Sequence, residues 1–233
     1  MQESRTKRTL RNSFVAMSFF VIDFVLQFFS RKIFLDYLGT EILGLNTTAI
    51  NILQFISLAE LGLGSVMGFA LYRPIYEDNK ESILEIMALQ KILYRRIAFS
   101  IIGISLVVMC FFPYIFKKME LPLWYAYATF GALLFSSMLG YFYNYKSIVV
   151  SASQMDYKLH LANRPLDVIK TILQIIAVVY SPYPYISWLL LQVVFSIIIT
   201  CSIQRVTFKN FPYLKEVHTF SYDVLKTKYS FVL

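Results

Sequence analysis

The sequence predicts an all-α, multi-pass membrane protein built as a six-transmembrane-helix bundle, and three observations lead there. Hydrophobic residues make up 58% of the 233 and charged residues only 15%, against about 25% charge in a typical soluble domain; mean hydropathy is +0.59. Six stretches each hold the roughly 20 mostly apolar residues that a spanning helix needs. The basic residues gather in alternate connectors, as they do in cytoplasmic loops. A globule in water could not hide this much apolar mass, because its surface is too large for its volume; a bilayer removes the difficulty by solvating the outer face. Glycine and proline number only 8 and 7, too few for the many short turns of a β protein. Helices, which satisfy their own backbone groups within lipid, are therefore the expected elements.

Taken in order, the expected spans are about 14–38, 45–71, 97–116, 123–145, 166–180 and 185–204, together forming a transmembrane lobe over 1–205. The tail 1–12 is polar and basic, and the apolar run after it is too long for a signal-peptide core and lacks a small-residue cleavage site. Leu38-Gly39-Thr40-Glu41 reads as the turn joining the first pair. Arg73-Pro74 should end the second helix, since proline cannot continue the ladder and restricts the residue before it. In the connector that follows, Ile83, Ile86, Met87, Leu93 and Ile97 recur at helical spacing between charges. That pattern describes an amphipathic helix over about 80–96 in the membrane interface, or equally a polar extension of the third helix. Residues 117–122 join the third and fourth spans, and Ser181-Pro182-Tyr183-Pro184 joins the fifth and sixth. The fifth is the weakest, being short and opening with Asp167 and Lys170. Residues 206–233 read as a cytoplasmic linker, and Lys226 to Leu233 looks like the flank of a further apolar run.

This arrangement places eighteen of the 22 basic residues on one side, leaving only Arg31, Lys32, Lys117 and Lys118 on the other. Both termini are then cytoplasmic. The net charge of +8 reflects membrane orientation rather than nucleic-acid binding, because no basic patch sits on a soluble domain. Cys110 and Cys201 lie in separate apolar runs and read as buried packing thiols, and His160 and His218 fall in polar loops with no role in chemistry expected. No metal-ligand spacing, phosphate loop or nucleophile motif is present, so no metal, cofactor or enzymatic activity is expected.

Ionisable groups at membrane depth are costly and tend to face a cavity. Asp23, Gln27 and Arg31 are four apart and share a stripe of the first span, with Lys32 beside them. They read as a cavity wall, or as a structural Asp23–Gln27 pair with Arg31 and Lys32 snorkelling to the outer interface. In the second span Thr47, Asn51, Gln54 and Ser57 share a face, and Ser57, Glu60, Gly64 and Gly68 continue an adjoining one. Close packing through small residues explains the glycines but not Glu60, which requires a partner or water. A cavity without chemistry points to transport.

The runs Tyr37-Leu38-Gly39-Thr40-Glu41-Ile42-Leu43-Gly44-Leu45-Asn46, Ser57-Leu58-Ala59-Glu60-Leu61-Gly62-Leu63-Gly64 and Leu71-Tyr72-Arg73-Pro74 resemble the N-terminal part of bacterial polysaccharide-biosynthesis flippases. These form the Wzx-like branch of the MOP superfamily, which also holds the MATE exporters. Lys170-Thr171-Ile172-Leu173-Gln174-Ile175 is similar to the same proteins. The resemblance implies the N-lobe of a MATE-like fold and translocation of undecaprenyl-diphosphate-linked oligosaccharide for surface polysaccharide, O-antigen or capsule synthesis, in the bacterial cytoplasmic (inner) membrane. It implies that Arg31, Lys32, Gln27, Asn51 and Gln54 face the substrate and that Asp23 and Glu60 tune the cavity or couple to an ion. Expected partners are the lipid-linked oligosaccharide, membrane lipid, and a polysaccharide polymerase or a second lobe. The alternatives are a MATE-type cation-coupled exporter and an inactive half-lobe with a structural role.

Overall fold

A computed structural model of the chain describes residues 5–60 and 62–215, with the side chains of 5–9 and 59 left aside. The described residues are helical, with no strand among them. They form α1 (Arg5–Ser57), a 3-10 turn (Leu58–Glu60), α2 (Leu63–Tyr76), α3 (Lys80–Cys110), the single turn α4 (Phe112–Ile115), and α5 (Trp124–Phe142). A second 3-10 turn (Asn144–Ser147), α6 (Ile148–Ala152), α7 (Asp156–Tyr180), α8 (Pro184–Asn210) and a last 3-10 turn (Pro212–Lys215) follow. Three helical segments are long and apolar enough to cross a membrane: Leu10–Ser57, Lys80–Cys110 and Pro184–Asn210.

The first of these is two antiparallel arms. At about 1.5 Å per residue a straight helix of its length would run to roughly 70 Å, more than twice a hydrocarbon core. Its regular geometry fails at one residue, Gly39, with φ 84° and ψ 169°, a region open essentially to glycine alone. The contacts on either side show the reversal. Asn12 accepts the Tyr157 N–H at the start of α7, and Phe34 meets Trp188 with ring centroids 5.3 Å apart at the start of α8. Past Gly39, Glu41 accepts the Glu120 N–H ahead of α5, and Glu60 meets Tyr141 near the end of α5. The chain thus climbs beside α7 and descends beside α5, with its turn where the sequence predicts one.

The descending arm differs from expectation. In place of one helix over 45–71, α1 ends at Ser57, a 3-10 turn follows, and α2 starts at Leu63. Gly62 takes the left-handed φ of 92° that separates the two, a conformation a Cβ would oppose. Nor does Arg73-Pro74 stop the helix: α2 runs to Tyr76 with Pro74 inside its last turn. A proline this close to the end forfeits one i→i−4 bond, and the chain then closes with Glu77 N–H on Arg73 O at 3.0 Å and Asn79 N–H on Pro74 O at 2.9 Å.

The stretch 80–96 is the polar extension, not a separate interfacial helix, because α3 is continuous from Lys80 to Cys110. Asn79 caps it, its Oδ1 accepting the Ser82 N–H at 3.0 Å. The apolar face Ile83, Ile86, Met87 and Leu89 is covered by Met67 and Leu71 of α2, Val149 and Ala152 of α6, and Leu214. Protein, not lipid, accounts for the amphipathic pattern.

The span read as 166–180 begins ten residues earlier, at Asp156. Polarity made 156–165 look like loop, so His160 lies on a helix rather than in one. Tertiary contacts hold the segment: the Arg11 guanidinium sits 3.6 Å from the Tyr157 ring centroid, Lys158 donates to Asn210, and Ser202 Oγ donates to Ala162 O at 3.3 Å. Residues 206–210 complete α8, and the turn beyond packs back with Leu214 wholly buried, so the linker begins no earlier than 216; the rest of it, with His218, lies outside the described residues. Cys110 and Cys201 are both exposed rather than buried.

Two ends are therefore defined. One gathers Asn12, the start of α3, residues 144–158 and the end of α8, and is rich in Lys and Arg. The other gathers Phe34, Ile42, Leu121, Tyr125 and Tyr185, where the Tyr185 hydroxyl donates to Tyr125 O at 2.8 Å. Between them lies the core around Phe112 and Phe130, packed by Leu45, Ala49, Leu53, Ile56 and Ile101.

Candidate functional site

The seven residues singled out from sequence fall in three places. Gln27, Arg31, Lys32, Asn51 and Gln54 are all exposed on the two arms of α1. Asp23, on the same stripe, is partly covered at the α1–α7 seam. Its Oδ2 accepts from Arg164 Nη1 at 3.2 Å, so its partner is an arginine on α7 and not Gln27. Beside that pair, Lys170 Nζ lies 3.2 Å from Asp167 Oδ1, the i,i+3 contact that the sequence suggests.

Glu60 lies apart, at the break in the descending arm, and here the structure assembles a site. A cavity of about 350 Å³ is lined by Glu60, Gln90 and Tyr94 of α3, Tyr141 at the end of α5, and Asn144 and Tyr145 just beyond it. Tyr141 Oη donates to Glu60 Oε2 at 2.5 Å, and Tyr94 lines the same cavity. The two rings meet edge to face, centroids 5.7 Å apart, which fixes both hydroxyls. A Cβ at Gly64 would sit 3.4 Å from the Tyr94 hydroxyl, in ordinary contact with it.

Each lining residue has a local reason for its position. The 3-10 turn and Gly62 rotate Glu60 off the helical register it would hold in a continuous span. Gln90 and Tyr94 are i,i+4 neighbours and so share one face of α3. Tyr141, Asn144 and Tyr145 stand where α5 gives way to a 3-10 turn. Two oxygens of the lining lack donors. Gln90 is 1% exposed and its Oε1 has no hydrogen-bond partner. Asn144 donates through Nδ2 to Thr200 Oγ1 at 3.4 Å while its Oδ1 is buried without a partner. The site is thus one carboxylate held by a phenol, with a second phenol and unfilled acceptors around it. No cluster of three or more His, Cys, Asp or Glu side chains able to hold a metal occurs among the described residues.

Of these groups the sequence marks Glu60 and its glycines, with Asn144 as a polar residue at the end of the fourth span. Gln90, Tyr94 and Tyr141 are missed, although Gln90 and Tyr94 carry the signal of two polar side chains on the otherwise apolar face of a helix.

Beneath the site, at the basic end, Lys146 donates to Leu214 O at 2.5 Å, and burial together with Lys91 lowers its pKa. Tyr213, covered by the fold and near Asp78, has its hydroxyl pKa pushed up to about 12. The comparisons with known proteins stand beside this geometry: no family model, no curated protein and no solved structure matches the chain.

Proposed function

We propose that the chain is a flippase lobe that moves an undecaprenyl-diphosphate-linked oligosaccharide across the bacterial cytoplasmic membrane for surface polysaccharide synthesis. In this reading the two arms of α1, the second continued by α2, together with α3, α5, α7 and α8 make six crossings. The basic end lies in the cytoplasm, with both chain ends there. The observation that carries the reading is the broken second span. A helix interrupted at membrane depth by a 3-10 turn and a left-handed glycine, with a carboxylate at the break in a polar cavity, is expensive in lipid and is tolerated where protein or water lines a path. The sequence resemblance over 38–74 supports the substrate class. The exposed Arg31 and Lys32 are then the donors for the diphosphate, as charge-assisted hydrogen bonds to phosphate are strong.

The test is Arg31→Ala combined with Lys32→Ala in cells whose surface glycan depends on the protein. Loss of export at unchanged protein level is expected, and wild-type export in the double variant refutes the headgroup role. The carboxylate of Glu60 favours one second reading, a cation-coupled exporter of the MATE type. That reading predicts a cationic dye accumulating in cells lacking the protein, with glycan export unaffected.

A further inference from the structure

We propose that Lys91, Arg95 and Lys146, at the basic end, hold the phosphate of one anionic phospholipid whose acyl chains lie along α3. The proposal needs only that this end meets the membrane surface, and it holds whichever molecule the protein moves.

Three positive charges gather there. Lys91 and Arg95 are i,i+4 neighbours on α3, a spacing that sets side chains next to one another and is unfavourable for like charges. Lys146 comes from the 3-10 turn after α5. Burial and the nearby Lys91 both lower the pKa of its ammonium. At the adjoining Tyr145, burial raises the hydroxyl pKa and the charge of Arg95 draws it back, so Arg95 lies close to the same turn. No carboxylate answers these charges. Lys91, Arg95 and Lys146 form no ion pair among the described residues, and Glu60 of the neighbouring cavity is held by Tyr141. Lys146 uses one N–H on Leu214 O, and an ammonium has two more to give.

Cytoplasmic lysines that only fix orientation can remain in water. A partly buried lysine with two further cations beside it and no counter-charge calls instead for an anion. Phosphate suits the cluster, because its oxygens accept several charge-assisted bonds at once, and basic pockets between helices on the cytoplasmic side take lipid headgroups.

The neighbouring surface selects a lipid over free phosphate. The stripe of α3 that carries Lys91 and Arg95 continues to Phe99, one turn on, and Leu106, two turns further, both exposed. The Phe99 ring meets Phe142 of α5 edge to face, centroids 5.8 Å apart, which makes an apolar shelf between the two helices. A headgroup on the cations therefore lays its chains on an apolar strip leading away from the basic end.

The experiment uses the full chain in micelles of a non-ionic detergent, with native mass spectrometry counting the phosphatidylglycerol or phosphatidylcholine retained per chain. One phosphatidylglycerol is expected, bound about tenfold more tightly than phosphatidylcholine. Lys91→Gln combined with Arg95→Gln should abolish that preference, whereas Lys117→Gln combined with Lys118→Gln removes the same charge at the opposite end and should keep it. Wild-type preference in the first pair, or equal loss in the second, overturns the proposal. Should the first pair fail to fold, Arg95→Glu decides: the side chain is exposed, and a folded variant with undiminished preference refutes the site. Glycerol 1-phosphate, a headgroup without chains, should compete only at far higher concentration; competition as effective as that of phosphatidylglycerol would assign the cations to free phosphate esters and overturn the lipid. Displacement by undecaprenyl diphosphate at a lower concentration than by phosphatidylglycerol would assign them to a transported lipid and overturn it as well.

Discussion

Replacing Gly39 by alanine isolates the cost of turning the chain back on itself. At φ 84°, ψ 169° the residue occupies a region that L-residues avoid, worth of order 1–3 kcal/mol. A Cβ built there meets nothing within 4 Å, so sterics with neighbours contribute nothing and the whole penalty is backbone strain. Gly68 is the matched control. It too has nothing within 4 Å of a Cβ, but it sits inside α2, where alanine should gain about 0.5–1 kcal/mol over glycine. The two substitutions add the same methyl group and should move stability in opposite directions, differing by roughly 1.5–4 kcal/mol on these principles. Reversible unfolding in mixed micelles with increasing denaturing detergent measures both. Equal effects of the two, or a Gly39→Ala protein as stable as wild type, would refute the reversal at Gly39.

Leu214→Ala should cost about 2–5 kcal/mol in the same assay, because the side chain is wholly buried against α2, α3 and α6; a loss under about 1 kcal/mol would mean that the turn after α8 is not packed. The Asp23–Arg164 pair is half-exposed and bridges α1 to α7, so a double-mutant cycle with Asp23→Ala and Arg164→Ala should return a coupling of about 1 kcal/mol, and strict additivity would remove the pair. Tyr213 has its folded pKa raised from 10.0 to about 12, so its contribution is fully present below pH 10 and is lost as pH rises from 10 towards 12. In Tyr213→Phe the alkaline fall in stability over that window should shrink, with one fewer late-titrating tyrosinate by absorbance; an unchanged alkaline profile contradicts the burial.

Helix content and the turn at Gly39 were legible in the sequence because both rest on local chemistry: long apolar runs have only helical solutions in lipid, and Leu38-Gly39-Thr40-Glu41 carries the one residue that tolerates the reversal. Two local readings failed, and packing decided between two readings of a third segment. Pro74 stayed within α2 because the lost bond falls in the final turn. Residues 156–165 are polar enough to read as loop, yet Asn12, Asn210 and Ser202 hold them in a helix. The face of 80–96 that resembles a membrane-surface helix is covered by α2, α6 and Leu214.

The candidate site divides along the same line. Sequence alone marked Glu60 as a carboxylate needing a partner and Gly62 and Gly64 as unusual beside it, since charge and glycine are properties of single residues. Its partners could not be read, because Tyr141 lies 81 residues away along the chain and no periodicity links an arm of α1 to the end of α5. Sequence grouped Asp23 with Gln27 and Arg31 on a helical stripe, and the helix keeps them there; only the packing of α1 on α7 pairs Asp23 with Arg164 and leaves Gln27 and Arg31 exposed. Composition and charge pattern determined that this chain is helical and fit for a membrane, because those depend on what each residue prefers as solvent. Tertiary structure decided where the second span breaks and which oxygens surround Glu60, because those depend on which distant segments share the same space.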